Sequence, residues 1–288
     1  MLITRESVLC YENEAGLEIN LAPFSTFWAE KCEETSKNNI HTLKQAGKDG
    51  TFPTSMTMDE RHIVITGFVM NNLPVQTAYA SLHKVFNPTL RGVLKYSACL
   101  TEKTRKEINC RIEEVPTVYW SQRRLKFDIK LVCCDPFWKG NSVIENIAET
   151  LRTFRFPFFI PETGMRFGIK RATLESRFEN TGNVKGGFSA VLRARGGTVV
   201  NPEIRNEETG ERILLNITMR KDDVITILSG LHERRIEVNG ISMMQIVDVP
   251  NSVFFRLPGG VNRIGYRAEE NVGNLAVHVR YVPGYTFA

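Results

Sequence analysis

The stretch of this chain richest in reactive groups is KLVCCDPFWKG, Lys130 to Gly140. It holds two adjacent cysteines, then Asp135-Pro136, then Phe137-Trp138. Thiols so placed raise three chemistries: a nucleophile, a redox couple, or soft metal ligands. The residues before them favour architecture. Leu125, Phe127, Ile129, Leu131 and Cys133 alternate with Lys126, Asp128 and Lys130. A period of two marks a strand with one buried and one wet face. Neighbours on a strand point to opposite faces, so Cys133 and Cys134 are poorly placed to share one ion. Val132 and Cys134 fall on the otherwise polar face, which predicts a strand end covered on both sides. Pro136 cannot donate to a ladder, so the strand should stop near Asp135.

The other reactive residues give no constellation. Cys10, Cys32, Cys99 and Cys110 show no C-x-x-C spacing, and no histidine stands at a zinc-ligand distance from them. They read as buried free thiols. His41, His62, His83, His232 and His278 are scattered, with His278 on the outward phase between Val277 and Val279. The MDERH segment could pair Asp59 and Glu60 with His62, but in a loop entering a strand such residues make turns and ion pairs. No phosphate loop, dinucleotide fingerprint, H-E-x-x-H or G-x-S-x-G occurs. Gly259-Gly260 reads as a hairpin turn, since no helical pattern follows it. We expect no catalytic, cofactor-binding or metal-binding residues. Phe137-Trp138 and Phe154, Phe156, Phe158 and Phe159 are candidate stacking surfaces for sugars or bases, but a strand end and a linker favour packing between domains.

The elements that would position any site are mostly strands. At 288 residues the chain fits two domains or one large β domain. Its 42% apolar residues suffice for cores, and 37 basic against 32 acidic residues leave a mixed surface of net charge +5. Basic residues come only in pairs, so no nucleic-acid partner is expected. No apolar run reaches the ~20 residues of a membrane helix, and MLITRESVLCYENEAG lacks a signal peptide's pattern. Cytoplasmic synthesis and no membrane partner are the expectation. HIVITGFVM reads as a strand, then Tyr79, Leu82, Val85 and Phe86 recur at helical spacing up to Asn87-Pro88. GVLKYSACL and KEINCRIEEV return to strand. Ser142 and Glu145 have capping-box spacing, and Ile144, Ile147, Ala148 and Leu151 form a helical stripe, so a helix is expected there. Beyond Pro161 almost everything is short strands: Ile213, Leu215, Ile217 and Met219 alternate, as do Leu275, Val277, Val279 and Tyr281. Turn signals such as Asn239-Gly240 separate them, which argues for a β-sandwich.

The order of these pieces resembles a known family. AGKDGTFP, ERHIVITGFVM, a helix ending FNPTLRGVLKY and a strand ending CCDPFW are similar to the first half of the distal tail proteins of long-tailed siphophages. NPEIRNEETGERILLNI, FFRLPGGVNRIGYRAEE and LAVHVRYVPGY are similar to that family's C-terminal portion. The resemblance implies a mainly β chain of two domains: residues 1–139 would be a β-sandwich-like ring domain with one helix, and 161–288 a galectin-like β-sandwich. The expected helical and aromatic connector between them, 140–160, departs from the family's pattern. It implies a non-enzymatic structural role, without cofactors: a hexameric hub at the virion tail tip, of viral or prophage origin. Its partners would be the tail tube protein, a tail-associated hub protein, and receptor-binding or baseplate proteins. The stretch EKCEETSKNN, Glu30 to Asn39, is not assigned by the resemblance; its polarity reads as a mobile hairpin or belt. Two other classes stay open. One is a carbohydrate-binding module for cell-wall sugar, which wants an exposed Trp on a concave sheet, whereas Trp28, Trp120 and Trp138 all lie in the first half. The other is a hydrolase fused to a β domain, for which no acid/base pair is readable.

Overall fold

The computed structural model describes residues 7–70, 73–98, 105–148, 150–152, 168–170, 175–230 and 233–288. The chain forms two compact units: Met1–Asn141 together with Tyr285–Ala288, and Ser142–Gly284.

The first unit contains β1 (Val8–Asn13), β2 (Glu18–Asn20), β3 (Phe27–Leu43), β4 (Phe52–Val69), α1 (Val75–Val85), β5 (Gly92–Ser97), β6 (Lys106–Ser121), β7 (Arg124–Cys133) and β8 (Trp138–Lys139). The strand order is β2-β1-β5-β6-β7-β4-β3, with β8 beside β6. β6 serves two layers. Its start pairs with β5 over Lys106–Cys110, and the rest pairs with β7 from Arg111 to Ser121. Register shifts around Glu114 let one strand turn between them. The core between the layers joins Leu9, Leu94 and Ile108 to Ile63, Phe127 and Leu131. α1 buries Ala78, Leu82 and Val85 against it. Those positions lie on one face of a 3.6-residue period. Tyr79, expected on the buried stripe, is 49% exposed and stacks on His83 instead.

The second unit contains β9 (Val143–Ala148), β10 (Thr150–Arg152), β11 (Gly168–Lys170), β12 (Glu175–Asn180), β13 (Phe188–Ala194), β14 (Val199–Asn206), β15 (Arg212–Leu214), β16 (Thr218–Met219), β17 (Val224–Ser229), β18 (Arg234–Val238), β19 (Ile241–Ser242), β20 (Gly260–Glu270) and β21 (Leu275–Tyr281). A further short strand, β22 (Gly284–Tyr285), leads back and pairs with β8. One sheet runs β12-β20-β14-β15 and the other β19-β18-β17-β13-β21-β9. Their inner faces share a core, with Ile204, Ile264 and Tyr266 from one and Leu192, Ile227 and Val277 from the other. The expected second β-sandwich is what the chain forms. Asn239 and Gly240, at φ 50° and 82°, make the tight turn between β18 and β19 that this dipeptide favours.

Several expectations need correction. The helix expected from Ser142 is a strand. β9 pairs with β21 and adds an edge to the sheet. Val143 and Ile147 face inward while Ile144 is 62% exposed, a period of two. Ser142 caps nothing: its Oγ accepts a hydrogen bond from Arg280 Nε at 2.8 Å. The chain therefore passes from one unit to the next at Asn141, not near Pro161, and residues 143–148 belong to a sheet and not to a connector. Phe154 to Pro161, Cys99 and His232 lie outside the described residues. The alternating run from Ile213 to Met219 is two strands, β15 and β16, because Leu215 leaves the ladder to bridge Val247.

Candidate assembly surface: a projecting arm and its anchor

Cys133 is fully buried and lies opposite Arg61 of β4. Its thiol is pushed well above the ordinary value by a hydrogen bond with Cys110 and by burial. Burial likewise raises Cys10 and Cys32 to about 12 each, with a hydrogen bond to Glu18 adding to the shift at Cys10. Such thiols stay protonated and are neither nucleophiles nor ready ligands. Cys134 is exposed, not covered. The strand ends at Cys133, one residue before it. Among the described residues no group of three or more His, Cys, Asp or Glu could hold a metal ion.

The MDERH segment is not a loop. It lies within β4. Asp59 accepts from Asn39 Nδ2 at 2.6 Å, and His62 Nδ1 sits 2.9 Å from Glu113. His83 Nε2 lies 3.0 Å from the Pro116 carbonyl, and His278 bonds to Asn146. These histidines brace strands and the helix.

The residue that matters in this segment is Arg61, which sequence reasoning passed over. It is 4% exposed. Nη1 pairs with Glu34 Oε2 at 2.5 Å, Nε donates to the Pro136 carbonyl at 2.7 Å, and Nη2 donates to the Thr286 carbonyl at 2.7 Å. Trp138 Nε1 donates to the same Glu34 oxygen at 2.9 Å. One guanidinium thus uses its planar fork to tie together β3, β4, the CCDPFW segment and the strap Tyr285–Ala288. Lys106 secures the strap further: its Nζ donates to the Phe287 carbonyl and lies 4.4 Å and 4.6 Å from the centres of the Tyr285 and Phe287 rings. Asp135-Pro136 therefore turns the chain so that a carbonyl meets Arg61 and Trp138 closes the core.

Above this anchor β3 and β4 leave the sandwich. Their ladder runs from Phe27↔Val69 to Leu43↔Phe52. Every residue from Lys37 to Thr57 is exposed. At about 3.3 Å per residue the free part extends roughly 20–25 Å. Glu30 to Asn39, expected as a mobile hairpin or belt, is one rail of this hairpin arm. The arm is polar except near its end. There Ile40 pairs with Met56 and Leu43 with Phe52, at 55%, 65%, 65% and 53% exposure. β3 is also the edge of its sheet, so its outer backbone groups are unpaired within the sheet. Exposed apolar pairs on a free edge are a surface that soluble chains rarely leave open.

Residues 181–285 match a family model described as the siphovirus-type tail component, C-terminal domain. No curated protein matches the sequence. Among solved structures, the Dit protein of phage SPP1 aligns with a TM-score of 0.67 at 11% identity, over 96% of this chain and 99% of that one. That structure is described as a paradigm of the hub adsorption apparatus in phages infecting Gram-positive bacteria. The baseplate of phage P2 in its activated conformation with Ca aligns with a TM-score of 0.47 at 8% identity, over 98% of this chain and 99% of that one. The second sandwich thus carries the sequence signature of a siphovirus tail component, the chain as a whole has the fold of the SPP1 Dit protein, and the resemblance to siphophage distal tail proteins is borne out.

Proposed function

We propose that this chain is a structural, non-enzymatic component of a siphophage or prophage tail tip. Six copies close into a ring. The first unit continues the tail tube, with a tail-associated hub protein beneath, and the galectin-like second unit docks the adhesion components. The fold and the family match support a tail hub role. The observation that carries the ring is the arm: an ordered ladder with apolar pairs at its end, reaching beyond its own core, finds burial only in another molecule. Cyclic symmetry supplies that molecule at no cost in new sequence. Light scattering of the purified chain at micromolar concentration, with negative-stain imaging, tests this. A six-fold ring is expected. A dimer that never grows larger would sink the proposal.

A further inference from the structure

Unit 1 carries a cleft of about 670 Å³ at the step where β6 passes from β5 to β7. Gly92, Cys110, Arg111, Val132 and Cys134 stand in its wall. Cys110 pairs with Gly92 of β5, and Arg111 pairs with Val132 of β7. One further step of that antiparallel ladder sets Cys110 opposite Cys133, the last residue of β7. Both side chains belong to the same core, at 4% and 0% exposure, and the two thiols are hydrogen-bonded to each other. Directly opposed residues of an antiparallel pair hold their Cα atoms about 4.5–5.5 Å apart, within the span of a disulfide. On its other side Cys133 pairs with Arg61, the root of the arm. The roles of the two thiols differ. Cys133 is fully buried and keeps its proton, whereas Cys110 borders the cleft.

We propose that this cleft admits a small anionic disulfide, such as glutathione disulfide, and that exchange there joins Cys110 to Cys133 by a cross-strand disulfide bond. The Cys110 thiolate attacks one sulfur of the small disulfide, whose S–S bond breaks and releases one small thiolate. Cys133 Sγ then attacks the mixed disulfide at Cys110; its proton and the second small thiolate leave together as a thiol. The protein loses two protons and two electrons, and the small disulfide is reduced to two small thiols. Charge in the wall suits an anion. Arg91 and Arg111 have no carboxylate partner among the described residues, while Glu12 and Asp135 are each held by a lysine, Lys95 and Lys139. That leaves two unpaired guanidinium groups against one unpaired carboxylate, Glu14. The chemistry needs only the single chain. Its occasion rests on the tail reading: a protein made among cytoplasmic thiols and acting outside the cell meets disulfides only after release. The bond staples β6 to β7 beside Arg61.

The test uses the reduced full-length chain, incubated at pH 8 with glutathione disulfide and digested with trypsin without reductant. The expected product links the peptides 107–111 and 131–139, which hold Cys110 and the Cys133-Cys134 pair. Cys134→Ser should keep the link and Cys133→Ala should abolish it. The linked chain should unfold at a urea midpoint about 1–2 M higher for the first unit, and dithiothreitol should return it to the starting value. Arg91→Glu with Arg111→Glu should slow linking by glutathione disulfide about ten-fold and leave linking by the uncharged hydroxyethyl disulfide unchanged. A link that survives Cys133→Ala, a stable glutathione adduct with no link, or no reaction within a day overturns the cross-strand bond. Equal slowing with both reagents overturns the cleft as the anion's site. None of these outcomes bears on the ring, which light scattering tests separately.

Discussion

Replacing Arg61 by methionine removes the cation at the root of the arm and keeps most of the side-chain volume. The structure sets the scale of the loss. The Arg61 and Glu34 side chains are only 5% and 11% exposed, so Glu34 would be left as a buried carboxylate without its guanidinium partner, while Trp138 Nε1 still donates to it. Breaking one side of a buried pair costs about 3–5 kcal/mol. The Pro136 and Thr286 carbonyls would also lose the Arg61 donor; an unsatisfied buried carbonyl costs about 1–3 kcal/mol, and the losses will not add in full. Against a domain stability of about 5–15 kcal/mol this is a large share. Urea unfolding followed by tryptophan fluorescence, which comes from Trp28, Trp120 and the fully buried Trp138 and so from the first unit, reads it. We expect the first unit to lose about 3–5 kcal/mol and the second to be unchanged. Adding Glu34→Leu should recover part of the loss, because it removes the stranded charge. If Arg61→Met alone stays within about 1 kcal/mol of wild type, the anchor is not what the geometry says it is.

Other outcomes follow from the same coordinates. In the native protein at pH 8, a charged thiol reagent should label Cys134 quickly and leave Cys10 and Cys32 unlabelled, because thiols raised to about 12 are ionised to only about one part in ten thousand; fast labelling of Cys32 would contradict its burial. Their folded values lie above the ordinary thiol value of 9, so their contribution is full below pH 9 and is lost as pH rises toward 12. Stability should therefore fall across that window, and Cys10→Ala with Cys32→Ala should flatten the fall; an unchanged slope in the double variant would refute the assignment. A fragment covering residues 142–284 should fold alone as a monomer with dispersed amide resonances, since its two sheets enclose their own core; an unfolded fragment would show that the second sandwich depends on the first.

What could be read from the sequence was whatever depends on local period. The alternation from Leu125 to Cys133 gives β7 and its inward face without error, and α1 follows from Leu82 and Val85. The misread segment shows the limit. In VIENIA, Ile144, Ile147 and Ala148 fit a helix as well as Val143 and Ile147 fit a strand. The free edge of β21, more than a hundred residues away, decides between them. The anchor was invisible for the same reason. Arg61, Glu34, Trp138 and Thr286 come together only after β3, β4 and the strap have been placed. The arm left a faint signal: two long polar stretches flank the glycines at 47 and 50, with apolar residues only near the turn, a pattern that no self-contained sandwich would need.

The strap at Tyr285–Ala288 imposes an order on synthesis. Unit 1 begins at the start of the chain, but the segment that receives Arg61 Nη2 and covers Lys106 emerges only after all of Ser142–Gly284 has been made. Domains tend to fold as they leave the ribosome, the earlier one first. Here the earlier unit must wait for the later one. A nascent chain that has made its arm still lacks one of the three groups Arg61 holds. Neighbouring chains on one messenger would thus carry the arm on an unfinished body, and the anchor at its root is complete only in chains translated through Thr286.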